Sequence, residues 1–133
     1  LSTRFKLCVL TLGITIFAIG VTDAYTIDIS YNGNVGTYLV NENRLTLYRH
    51  QGDGAGYSNV NSYDWPPFYT ATVEVPGSLN YFDFRTIRRS DGTLQTTYKD
   101  WPLYLYRNRG PGDISGNGVN NMYVVSPTIG PLE

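Results

Sequence analysis

Groups able to do acid–base chemistry are few in this chain. His50 is the only histidine in 133 residues, and Asp53 follows three positions later. A His–carboxylate pair can act as an acid–base unit. No nucleophile is identifiable beside it, and a single histidine rules out a multi-histidine metal site. The pair reads more simply as a strand-end histidine near a carboxylate. Asp113, Ser115, Asn117 and Gly118 repeat the opening of a calcium loop, with oxygen ligands at alternate positions and then Gly. The closing position falls on Val124, where a carboxylate is needed. A Gly/Asn turn explains the run better, and nothing here calls for a metal or a cofactor.

The aromatic residues are the stronger candidates for contact. Trp65 and Trp101 each precede a proline, and Tyr104 and Tyr106 follow the second of them. Exposed rings of this kind stack on sugars or hold a partner's edge, while core packing is the commoner use. These four residues form the expected partner surface. Arg85, Arg88 and Arg89 are offset by Asp83 and Asp91, and Arg107 and Arg109 by Asp113, as on a solvated face. A net charge of -1 gives no electrostatic footprint for nucleic acid. No phosphate-cradling loop or Ser/His/Asp order stands out, so the expectation is a protein that is not an enzyme.

The elements that would position these residues are short strands. All 12 tyrosines lie at or beyond Tyr25, and only 16% of residues are charged. Tyr, Thr and Val suit a pleated, half-buried surface, and Gly and Asn suit tight turns. Tyr25, Ile27, Ile29 and Tyr31 alternate with polar residues, as in a half-buried strand. Asn32-Gly33 suits a type I′ turn before a strand over Val35–Val40. Further strands are expected over Leu45–His50, Thr70–Val75, Tyr81–Arg89, Thr93–Lys99, Trp101–Arg107 and Met122–Val125. Asp91-Gly92 marks the clearest hairpin. Two Gly/Asn-rich loops, Gln51–Pro67 and Asn108–Asn121, are long enough to suggest function. The expected fold is all-β, an antiparallel sandwich or barrel over residues 25–127 with a tail over 128–133.

Two segments echo each other. Thr46-Leu47-Tyr48-Arg49-His50 parallels Pro102-Leu103-Tyr104-Leu105-Tyr106, and Trp65-Pro66-Pro67-Phe68 parallels Trp101-Pro102-Leu103-Tyr104. With Gly36-Thr37-Tyr38-Leu39, the run Asp91 to Tyr98 and the run Gly112 to Gly118, they occur in the order of a known pattern. Residues 35–127 resemble the secreted repeat family with a Tyr-x-(Phe/Trp/Tyr)-x-x-Asp motif, often found on predicted bacterial lipoproteins. One copy here reads Tyr48, His50, Asp53, and the other reads Tyr104, Tyr106, Arg109. His stands in the aromatic place of the first, and Arg in the acidic place of the second. The resemblance implies a β fold and a secreted or surface location. It brings no catalytic residue.

Residues 1–24 differ in character. Leu7–Gly20 holds no charged residue and follows Arg4 and Lys6. This is the layout of a secretory leader. A helix over Leu7–Thr22 would rise roughly 24 Å, short of the roughly 30 Å hydrocarbon core. A retained apolar helix joined to a β domain resembles instead the layout of type IV pilin-like subunits. In that reading Leu7, Val9, Leu10, Leu12, Ile14, Ile16, Phe17 and Ile19 form an assembly segment. The lone Cys8 would be a small apolar residue within it. The expectation is a cell-surface structural protein that self-associates into a filament and meets a membrane during export or anchoring. The alternative is a soluble secreted or anchored module that binds a glycan, peptide or redox partner.

Overall fold

A computed structural model describes residues 24–133. The expected N-terminal helix and its assembly residues, Leu7 to Ile19, lie outside the described residues. The described chain is all-β, and its one helical element is a single 3-10 turn at Tyr81–Asp83. No helix among the described residues is long and apolar enough to cross a membrane.

Strands β1 (Ile27–Asn32) and β2 (Gly36–Asn41) form the first hairpin. On β1 Ile27 is fully buried and Ile29 half-buried, but Tyr31, expected on the same face, is 73% exposed. The connection differs from the expected two-residue turn. Asn32 pairs with Gly36, which leaves three residues in the loop. Gly36 sits at φ 80, a conformation that favours glycine at the end of a three-residue hairpin loop. Asn34 N–H donates to Asn32 Oδ1 at 2.8 Å, so Asn32 stabilises the turn through its side chain.

Strand β3 (Tyr48–His50) pairs antiparallel with β7 (Met122–Val124). A third sheet contains β4 (Phe84–Arg88), β5 (Leu94–Tyr98) and the two-residue β6 (Trp101–Pro102). The Asp91-Gly92 hairpin forms as its sequence implies: Asp91 Oδ1 accepts both the N–H and the hydroxyl of Thr93, and Gly92 sits at φ 88. Pairs of left-handed residues lie elsewhere, at Lys99 and Asp100 (φ 50 and 70) and at Asn120 and Asn121 (φ 54 and 61). Asp100 is a residue that tolerates this conformation, whereas Lys99 is not.

Two expected strands are corrected. Thr70–Val75 is not a strand; Thr70 Oγ1 donates to the Thr72 carbonyl, a local bond that competes with a ladder. Trp101–Arg107 is a strand only at its start. Its later residues change partners: Leu103 N–H donates to Thr96, Tyr104 to Tyr48, Leu105 to Pro66 and Arg107 to Asp64. Three small antiparallel sheets result, stitched by bridges at Val40–Thr46, Tyr48–Tyr104 and Pro67–Tyr104. They do not close into a barrel among the described residues.

Two packed clusters sit between these pieces. One gathers Ile27, Leu39, Leu47, Phe68, Phe84, Tyr98, Leu103 and Val125. The other holds Tyr48, Trp65, Tyr104 and Met122. The second brings the residues of the two echoing segments into one place.

Candidate functional site

The centre of the site is a reciprocal backbone pair. Tyr48 N–H donates to the Tyr104 carbonyl at 2.9 Å, and Tyr104 N–H donates to the Tyr48 carbonyl at 2.8 Å. Each tyrosine then reaches the loop that follows the other. Tyr104 Oη–H donates to Asp53 Oδ2 at 2.6 Å and also contacts the Ser58 hydroxyl. Tyr48 Oη accepts the Gly116 N–H at 3.2 Å. Burial pushes the Tyr48 phenol up to about 12. Burial, and then Asp53, pushes the Tyr104 phenol higher still.

Asp53 is fully buried, and every contact around it organises the loop of residues 51–67. Its Oδ1 accepts the Asn59 N–H at 2.7 Å. His50 Nδ1 stands 3.7 Å from the same oxygen. That nitrogen already accepts the Gly52 N–H at 3.1 Å, so it is not aimed as a proton donor at Asp53. His50 closes a turn at the end of β3, and Asp53 anchors a tyrosine.

Arg89 completes the network and corrects another expectation. It is not on a solvated face; its side chain is only 8% exposed. Its guanidinium donates to Ser58 Oγ, Gln95 Oε1 and the Val60 carbonyl at 2.8, 3.0 and 2.8 Å. Gln95, itself buried, donates to the Leu103 carbonyl at 2.7 Å. Arg89, Ser58, Tyr104 and Asp53 thus form one buried polar chain that pins the long loop to β5. Sequence reasoning missed it because a buried arginine looks like its exposed neighbours Arg85 and Arg88.

The four aromatic residues expected as a partner surface are placed as follows. Trp65, Trp101 and Tyr104 are buried, and Tyr106 is half-buried. Trp65 stacks on Tyr106 with centroids 4.0 Å apart, and Tyr48 meets Trp65 edge-on at 5.1 Å. Arg109 caps Tyr106 from outside at 4.0 Å. Gly116 lies against all three rings. Trp101 Nε1–H donates to the Gly130 carbonyl, and Arg49 covers its face at 4.5 Å. These rings pack the interior, so an exposed edge made of Trp65, Trp101 and Tyr104 is not what they form. The exposed aromatics are others: Tyr31, Tyr57, Tyr63, Tyr81 and Phe82.

The calcium-like run is a turn. Asp113 Oδ1 accepts the Ser115 N–H at 2.7 Å, and Asn117 Oδ1 accepts the Val124 N–H. The Ser115 contacts hold the Asp113 carboxyl below the usual range, and Arg109 at 3.6 Å adds to this. The residues of this run are committed to backbone and to an arginine. No cluster of three or more His, Cys, Asp or Glu capable of holding a metal forms among the described residues.

The pinned loop frames a surface groove of about 400 Å³. Val60 gives it apolar surface over the buried Trp65 and Met122 beneath, and His50, Asn59, Ser62, Asp64 and Asn120 give it polar surface. Asn120 Oδ1 accepts the Trp65 indole N–H at 3.2 Å, which fixes the ring at the groove.

The span from β4 to the end of β7 is what known sequences match. Residues 85–125 match the family model of a secreted repeat of unknown function. The matched span is narrower than the resemblance read over residues 35–127. It holds one motif tyrosine, Tyr104, and the two residues that brace it, Arg89 and Gln95. The other half of the network, Asp53 and Ser58, comes from before the secreted repeat. No curated protein and no solved structure matches the chain. The matched family is described as secreted, which fits an extracellular location, and the described chain is β-rich.

Proposed function

We propose that this chain is a non-enzymatic extracellular binding module. Its working surface is the groove between the loop of residues 51–67 and Asn120–Met122. The observation that carries this reading is the pinning of the loop. A long loop without regular structure is anchored by the buried Asp53–Tyr104–Ser58–Arg89 chain. Anchoring lowers the ordering cost of binding, which is the use of a rigid recognition loop. A small apolar contact at Val60 among polar neighbours such as Asn59, Ser62 and Asn120 suits a neutral polar ligand such as a glycan. Titrating the full chain with a panel of neutral oligosaccharides, read by tryptophan fluorescence, tests it. Saturable quenching that weakens in Asn59→Ala supports the reading. A flat response across the panel, or quenching unchanged in Asn59→Ala, sinks it.

A second reading concerns assembly. The uncharged run Leu7–Gly20 favours a cell-surface filament subunit in which that segment packs against other copies, with the β domain displayed. Mass spectrometry of native protein decides it. A mature N-terminus beyond Gly20 removes the assembly segment. A retained segment, with filaments in negative-stain images of shed surface material, supports it.

A further inference from the structure

The outer edges of β1 and β4 are treated differently. On β1 outward groups are taken over its first half, around Ile27 and Ile29. Ile29 N–H donates to the Asp28 carboxylate at 2.7 Å, and Arg44 donates to the Ile29 carbonyl at 3.2 Å. Asp28 and Arg44 also pair with each other, and Glu74 accepts the N–H groups of Thr26 and Ile27. This is an edge blocked against strand addition.

On β4 the edge is open. Arg89 exchanges bonds with the Thr93 end of the hairpin, and Lys99 N–H donates to the Asp83 carbonyl. Antiparallel bonding alternates, so Arg85 and Ile87 also face β5. Thr86 and Arg88 therefore turn their N–H and C=O groups away from the sheet. Among the described residues nothing pairs with these groups. Both residues are exposed, as is Arg85. Beside the start of the strand, Phe82 is 79% exposed and Tyr81 lies edge-on to it.

We propose that the β4 edge receives an extended acidic segment of another protein by strand addition. Main-chain bonds to Thr86 and Arg88 supply the pairing, as in edge-recognition modules. Charge selects the occupant. Arg85 and Arg88 project to opposite faces of the edge, because three positions separate them. A partner strand then needs carboxylates three residues apart to meet both. Two β4 edges laid together would crowd arginines, so a second copy is the poorer occupant. Phe82 offers an apolar contact at one end. This site is separate from the groove at Trp65 and stands without it.

The test uses the full chain and a short synthetic Thr/Val peptide bearing two glutamates three residues apart. The same peptide with lysines is the control. Fluorescence anisotropy is expected to show binding of the glutamate peptide and not of the lysine peptide. Hydrogen exchange at the Thr86 and Arg88 amides should slow on binding. Thr86→Pro removes an outward donor without touching the β4–β5 ladder, and should weaken binding by roughly tenfold. Arg85→Glu with Arg88→Glu should reverse the preference to the lysine peptide, and these exposed changes keep the fold. Equal binding of the two peptides, or no preference change in the reversed variant, overturns the proposal. So does concentration-dependent dimerisation abolished by Thr86→Pro, which would give the edge to a second copy.

Discussion

Tyr48 and Tyr104 bond each other's backbones in both directions, and each sends its phenol to the loop behind the other. The two echoing segments are therefore interlocked rather than merely repeated. Their two ends are not equivalent, however. Tyr104 finds a carboxylate in Asp53, whereas Tyr48 finds only backbone groups, the Gly116 N–H and, at 3.5 Å, the Asp113 carbonyl.

That asymmetry sets an order for two conservative substitutions. Tyr104→Phe leaves the buried Asp53 oxygen without its phenolic donor, and removes a partner of Ser58. Tyr48→Phe leaves the Gly116 N–H short of an acceptor and takes a long, weak donor from the Asp113 carbonyl, which keeps its bond from Thr46. Stranding a buried charged acceptor costs about 1–3 kcal/mol, more than a neutral bond does. Urea unfolding should rank Tyr104→Phe as the less stable variant. The reverse order would mean that Asp53 is not held by the phenol.

Gly116 separates the loop from three rings at once. A Cβ there would sit 2.6 Å from Trp65 Cη2, 2.8 Å from Tyr106 Cδ2 and 2.9 Å from Tyr48 Cζ. The stacked Trp65–Tyr106 pair cannot yield without breaking its own contact. Gly116→Ala should therefore destabilise by about 1–3 kcal/mol, as overpacking does. Near-ultraviolet circular dichroism should change with it, since the rings must move. A variant with wild-type stability and spectrum would place the loop elsewhere.

The hairpins were legible because their signals are local. Alternation over Tyr25–Tyr31 and the Asp91-Gly92 turn each act within a few residues. Trp101–Arg107 was misjudged because its β pattern is real, but its partners change from residue to residue. The site was harder to read. The spacing that points to Trp65 and Tyr104 as a partner surface does not distinguish a packed ring from an exposed one. Arg89 and Ser58 carried no signal, because their value comes from Tyr104 and Gln95 brought together by the fold. Left-handed Lys99 is invisible for another reason: the tight pairing of Tyr98 with Trp101 imposes a conformation that lysine does not favour.

The buried phenols predict an alkaline transition. Tyr48 rises from 10 to about 12 in the folded protein, chiefly through burial. A raised folded value means that the native state favours the neutral phenol. Its stabilising contribution is complete below pH 10 and is lost as pH rises from there toward 12. Tyr104 shifts in the same direction, through burial and Asp53. Tyrosinate absorbance should thus show exposed tyrosines titrating first, and the buried pair ionising together with loss of structure. Smooth titration of all the tyrosines near their ordinary value, with the fold intact, would contradict the burial of this pair.

Arg109 occupies the position where the motif calls for an acid, and the structure gives it work there. It covers Tyr106 at 4.0 Å and faces Asp113 at 3.6 Å, with its Nε donating to Ser115 Oγ. Arg109→Asp would restore the motif on paper. It should nonetheless destabilise this protein by about 1 kcal/mol, because a cation–π contact is lost and two carboxylates are left adjacent. The penalty should shrink as pH falls into the carboxylate range, where protonation relieves the repulsion. Arg109→Leu provides the comparison, since it loses the cation without adding an acid and should show no such relief. Unfolding midpoints of the three proteins across that range separate the cases. A stabilised Arg109→Asp variant would mean that Tyr48, not Arg109, is the partner this position is built to serve.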